Sequence, residues 1–203
     1  MTGNEKELVV IGVCGAIGAG KDTVANILVD KFGFKRVAFA DKLKEACRII
    51  YGFSDEQLYG TQAQKEAIDP YWGVSPRSLM QRTGTQALRN VIDNDVWVKA
   101  LMQTLLQSGG GRFVISDCRF ENEVKMVHSL GGELWNVERV KLTRRERFIN
   151  RVKDFFGITH ESERLWHNLD LADRVIDNTG TMEALEKNIY WALLSARWED
   201  GLE

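Results

Sequence analysis

LVVIGVCGAIGAGKDT, residues Leu8–Thr23, holds an apolar run followed at once by a glycine-rich turn. The run Leu8–Val13 predicts a buried strand. Gly15 to Lys21 matches G-x-x-x-x-G-K, and Val24, Ile27, Leu28 and Phe32 then recur at helical spacing. A strand before the motif and a helix after it are the context a phosphate-binding loop requires. The glycines let backbone N–H groups approach phosphate oxygens with no Cβ in the way. The helix N-terminus adds partial positive charge, and Lys21 supplies a mobile cation. One position departs from the usual pattern. Asp22 stands where a magnesium-binding Ser or Thr is usual, and Thr23 follows it.

Outward from this stretch, five short apolar strands alternate with helices: Leu8–Val13, Arg36–Phe39, Arg112–Ser116, Glu133–Val137 and Arg174–Ile176. That alternation predicts an α/β fold with a parallel sheet covered on both faces. The first helix is expected to end at Gly33. Asp41 is expected to cap a helix over Lys42–Tyr51, with Leu43, Ala46, Cys47 and Ile50 on one face. Gly52–Gly73 has no clear periodicity and predicts loops or short turns. Ser75-Pro76 opens a helix to about Val91, with serine as cap and proline in the first turn. Val96–Gln107 and Glu121–Leu130 are further helices. Thr181 caps a last one, with Met182, Leu185, Ile189 and Leu193 as its buried stripe. Ligands of such sheets bind at the carboxyl ends of the strands, where the glycine-rich loop, Asp41 and Asp117 are all expected.

A chain of 203 residues predicts one domain with room for an insert. Its 29 acidic and 27 basic residues give a net charge of −2, which argues against stable nucleic-acid binding. The three cysteines, Cys14, Cys47 and Cys118, lack metal-ligand spacing, and Cys14 and Cys118 read as small buried residues at strand ends. No apolar run is long enough for a membrane span, and no signal peptide is evident. A reducing, cytoplasmic setting is therefore expected.

Asp117 closes the strand that ends Phe113-Val114-Ile115-Ser116. There it reads as a carboxylate holding magnesium directly or through water, or else as a helix cap or a partner of Arg119. Thr143–Phe156 predicts a charged helix with Arg144, Arg145, Arg147, Arg151 and Lys153. It reads as a solvated face or as a lid bringing cations to phosphate.

Taken together, GAIGAGKDT (Gly15–Thr23), FADKLKEA (Phe39–Ala46), SPRSLMQRTGTQALR (Ser75–Arg89), DVWVKAL (Asp95–Leu101), ISDCRFENE (Ile115–Glu123), HESE (His160–Glu163) and VIDNTG (Val175–Gly180) resemble the bacteriophage-type deoxynucleoside monophosphate kinases. The resemblance implies a P-loop kinase-like five-stranded sheet with a helical lid at about 141–165 and a monophosphate-binding insert at about 41–107, within one domain over 1–203. It implies transfer of the ATP γ-phosphate to a deoxynucleoside 5′-monophosphate with Mg2+. Gly15, Gly18, Ala19, Gly20, Lys21, Asp22, Thr23, Arg145, Asn178 and Gly180 would bind ATP. Asp22 and Asp117 would serve the metal, and Lys21, Asp117 and Arg147 the transfer. Asp41, Lys44, Lys65, Arg77, Gln81, Gly84, Thr85, Arg89, Trp97 and Arg119 would form the acceptor site, with Glu123 organising the site from behind. The resemblance leaves a homodimer open, and places a phage-encoded member in the host cytoplasm. The GKD loop, Lys44, Lys65-Glu66, SDCR, Ser162-Glu163 and the NxG turn also resemble small-metabolite kinases of the phosphomevalonate kinase type. A non-catalytic nucleotide-binding module is a third reading.

Overall fold

The computed structural model describes residues 8–140 and 171–196. These residues pack as two compact units, one up to Ala38 and from Leu105 onward, the other Phe39–Thr104.

In the first unit, β1 (Leu8–Cys14) is the central strand of a five-stranded sheet. Its companions are β2 (Lys35–Val37), β3 (Gly111–Ile115), β4 (Glu133–Glu138) and β5 (Arg174–Asp177). The order is β2-β3-β1-β4-β5 and every pairing is parallel. A strand covered on both faces cannot alternate apolar with polar, hence the unbroken run in β1. On one face Val9, Ile11 and Val13 join a core with Val24 and Leu28 of α1 (Lys21–Phe32) and with Leu185, Ile189 and Leu193 near the C-terminus. Ile11, Leu28, Leu185 and Ile189 are at most 1% exposed, and each contributes about 1.5–3 kcal/mol by burial. On the other face the backbone itself comes close. A Cβ on Gly12 would meet Cys118 Sγ at 2.9 Å and Val127 Cγ2 at 3.1 Å.

The strands agree with the sequence reading to within two residues at either end, and the α/β class with helices on both faces holds. Met182 is a correction. It opens the last helix but is exposed, because the helix begins beyond the edge of the core. Thr181 does cap that helix, accepting a hydrogen bond from the Ala184 N–H at 3.3 Å.

The second unit is helical: α2 (Ala40–Tyr51), α3 (Asp55–Tyr59), α4 (Gln62–Glu66), α5 (Pro76–Gln81), a π-helical stretch Arg82–Ile92, and α6 (Val96–Gln107), whose last turn passes into the first unit. Four expectations change here. Helix α2 starts before Asp41, so Asp41 lies in its first turn and acts through charge on the helix dipole instead of as a cap. Ile50 is exposed, leaving Cys47 as the buried residue of that face. Gly52–Gly73 is not simply loop. Ser54 and Gln57 form a capping box that starts α3, and Thr61 and Gln64 form another that starts α4. The helix after Ser75 is α-helical only to Gln81 and then widens to i→i+5 bonding. The remaining helices are α7 (Glu121–Ser129) and α8 (Met182–Leu194), both in the first unit.

Candidate active site

The residues after β1 turn sharply, and glycine permits the turn. Gly15, Gly18 and Gly20 have φ of +144°, +76° and +98°, a region that L side chains avoid. The Ala19 N–H closes the turn on Ala16 O at 3.1 Å, and Val24 N–H on Gly20 O starts the helix. Lys21 reaches back over the loop. Its Nζ donates to Gly15 O at 2.8 Å and Ala16 O at 2.9 Å. Asn178, just past β5, donates through Nδ2 to Ala19 O at 2.7 Å, and Arg139, just past β4, donates to Gly18 O at 3.4 Å. With these carbonyls engaged by cations and an amide, none of them is left to repel an anion held at the loop. The arrangement suits a nucleotide polyphosphate.

Asp22 opens α1 and is largely exposed, and its carboxylate is paired with Arg36 of β2. Arg36 also donates to Ser116 Oγ at 3.0 Å and Asn26 Oδ1 at 3.3 Å, which ties the start of α1 to the end of β3. Asp117 follows β3 by two positions and is half-buried. Glu123 is 2% exposed, and its Oε2 accepts the N–H groups of Arg119 at 2.7 Å and Phe120 at 3.1 Å. That fixes the backbone just beyond Asp117 and starts α7. Thr23 adds a hydroxyl in the first turn of α1. These are hard oxygen donors, suited to magnesium, which takes one or two carboxylates and completes its shell with phosphate oxygens and water. Among the described residues no three His, Cys, Asp or Glu side chains gather, so such an ion would depend on the phosphates.

In the second unit, Gly84 lies against α2, where a Cβ would come within 2.6 Å of Leu43 Cδ2. Trp97 is buried, and its Nε1 donates to Gly84 O at 3.0 Å. Thr83 is buried and shares a 2.6 Å hydrogen bond with Tyr51 OH. Arg89 is 9% exposed, whereas Arg77 is exposed and 3.7 Å from Glu66. Lys44 Nζ lies 4.3 Å from the centroid of the Tyr59 ring. Gln81 and Thr85 are exposed, and Lys65 and Asp41 half-buried. The π-helical stretch thus holds Gly84, Thr85 and Arg89, and such winding recurs at functional sites.

In the first unit Arg119 is exposed and Gly180 lies in the turn before α8. The lid at about 141–165, with Arg144, Arg145, Arg147, Arg151 and Lys153, and the HESE stretch lie outside the described residues. Sequence reasoning missed Arg36 and Arg139. Arg36 is an exposed residue in the middle of β2 and Arg139 an exposed one just past β4, and nothing in their local sequence shows that one holds Asp22 and the other Gly18 O.

Cys14, Cys47 and Cys118 are free and buried. Burial pushes the Cys14 thiol up to about 12 despite the lowering effect of Lys21, and the Cys47 thiol to about 11. Burial also raises Cys118 well above the ordinary thiol range, with Glu123 and Asp117 adding to the effect. The thiols beside the loop are therefore packing residues.

Residues 60–189 match the family model of deoxynucleotide monophosphate kinase. A protein of Acanthamoeba polyphaga mimivirus, assigned as a deoxynucleotide monophosphate kinase, is 35% identical over 197 residues, covering 90% of this chain and 94% of its own. The deoxynucleoside-5′-monophosphate kinase of Escherichia phage T5 is 22% identical over 178 residues, covering 59% of this chain and 71% of its own. Among solved structures, TT1252 from Thermus thermophilus superposes with a TM-score of 0.50 at 23% identity, covering 93% of this chain and 97% of that one, which speaks to the fold alone. No helix among the described residues is long and apolar enough to cross a membrane. With the phosphate loop at the end of the central strand, the family match through residues 60–189 and the mimiviral relative along most of its length, the chain belongs to the deoxynucleotide monophosphate kinase family.

Proposed function

We propose that this protein transfers the γ-phosphate of ATP to a 2′-deoxynucleoside 5′-monophosphate, giving the diphosphate and ADP. The observation that carries the substrate class is where the family match falls. It starts at residue 60, beyond the phosphate loop that unrelated kinases share, and runs through the π-helical stretch. The family match therefore does not depend on the loop, and it favours this reading over a small-metabolite kinase.

In this reading the loop N–H groups and the start of α1 hold the β- and γ-phosphates. Lys21 leaves Gly15 O and Ala16 O to follow the charge that builds on the transferring group. Phe39–Thr104 is the acceptor unit. Arg89 holds the acceptor phosphate, and Arg77 joins it by leaving Glu66, an exposed pair that costs little to open. Lys44, Lys65, Asp41, Gln81, Thr85 and Trp97 shape the nucleoside side, and a close sugar pocket disfavours a 2′-hydroxyl. Asp117, Asp22 and Thr23 would hold magnesium, which when bound neutralises phosphate oxygens. Arg145 and Arg147 act from the lid. Cytoplasmic action and a dimeric state belong to the same proposal.

The test is an acceptor panel with ATP and magnesium, following ADP release against each deoxynucleoside and ribonucleoside monophosphate. Turnover with at least one deoxynucleotide, and slower turnover with its ribonucleotide, is expected. ATP binding with no turnover on any acceptor would overturn the proposal.

A further inference from the structure

Asn178 is the amide of the NxG turn, a place from which a side chain can reach for a nucleotide base. Its own carboxamide does something else. Nδ2 donates to Ala19 O at 2.7 Å, across 159 residues of sequence. Its main chain is anchored as well, with the N–H donating to Glu138 O at 2.8 Å. The neighbouring backbone is held from the other side, where Asn188 Nδ2 donates to Asp177 O at 2.8 Å. The amide is thus set on the rigid end of β5 and pressed against the phosphate loop. The fit is close. A Cβ on Gly20 would lie 2.2 Å from Asn178 Nδ2, so Gly20 serves both its own φ of +98° and the space the amide fills.

A backbone carbonyl turned into the protein needs a donor to meet it. Asn178 provides the hydrogen bond, and the peptide N–H on the far side of that carbonyl, that of Gly20, is oriented with it because the peptide unit is planar. We infer that Asn178 is a positioning residue: it holds the Ala19–Gly20 peptide so that the loop presents its N–H groups to the polyphosphate, and it acts on every triphosphate alike instead of reading the base. This rests on the reading of the loop as the ATP site.

The experiment compares wild type with Asn178→Ala and Asn178→Asp, measuring Kd by calorimetry for ATP, GTP and inorganic tripolyphosphate, with thermal melting as the check on folding. The aspartate keeps the shape but presents an acceptor to Ala19 O. Losing one hydrogen bond of ordinary strength predicts a weakening of about fivefold for the alanine variant, the same for all three ligands, and more for the aspartate. Loss for ATP with tripolyphosphate unchanged would make Asn178 a base reader and overturn the inference. Unchanged Kd values for all three would show the hydrogen bond to be idle. A wild-type protein that binds ATP but no tripolyphosphate would also overturn it, because the loop would not then be the anchor. Failure of wild type to bind ATP at all would strike the proposed function itself.

Discussion

The two units hold their candidate residues in different ways. Around the phosphate loop Lys21 and Asn178 grip backbone, Lys21 on Gly15 O and Ala16 O and Asn178 on Ala19 O, while Asp22 pairs with the Arg36 side chain. In Phe39–Thr104 the charged candidates lean on other side chains, Arg77 on Glu66 and Lys44 on the face of Tyr59. A site built from backbone must be rigid before the ligand arrives, because peptide N–H groups cannot be reaimed cheaply. A site built from exposed ion pairs can exchange partners when the ligand arrives, since such pairs contribute about 1 kcal/mol or less. The first arrangement suits a donor common to many reactions, the second an acceptor that must be told from its relatives.

The sharpest way to break this contrast is Lys21→Ala. The loop should keep its fold, and kcat should fall by about a hundredfold or more, as for loss of one preorganised stabiliser of developing charge. A near-normal kcat in a folded variant would remove the loop from the chemistry. Asp117→Asn should come next, raising the magnesium needed for half-maximal rate by about tenfold while leaving ATP binding without metal nearly unchanged. An unshifted magnesium titration would make Asp117 structural.

On the acceptor side, Arg89→Lys should raise KM for the deoxynucleotide by about fivefold with KM for ATP unchanged, because lysine cannot copy a two-pronged guanidinium contact. Arg77→Lys should do less, about twofold, since Arg77 is exposed and already paired. Equal effects on both substrates would end the division between the units. The smallest effect belongs to the thiols. With Cys14 raised to about 12 and Cys47 to about 11, neither holds more than about a thousandth of its thiolate at pH 8. Iodoacetamide at that pH should leave the folded protein unmodified by mass and fully active, and rapid labelling would show a looser core.

Much of the candidate phosphate loop was legible because its signals are local. G-x-x-x-x-G-K between an apolar run and a 3.6-residue period needs no distant partner to be recognised. The capping boxes Ser54–Gln57 and Thr61–Gln64 were equally present in the sequence, but helices this short show no apolar period, so the segment read as loop. The π winding over Arg82–Ile92 has no such local mark, and the inward turn of Arg89 belongs to it.

From the sequence alone came the strand–loop–helix, the five-strand alternation, the burial of Cys14 and Cys118, and the block Ser75–Arg89 that resembles the deoxynucleotide kinases. Each rests on residues within a few positions of one another, where backbone conformation and hydrophobic period are set. Only the tertiary structure decided that Arg36 takes Asp22, that Trp97 donates to Gly84 O, and that Asn178 closes on Ala19 O. Those choices depend on which strand ends and helices the packed unit brings within 3 Å, and a polar side chain carries no record of a partner that distant until the core has formed around it.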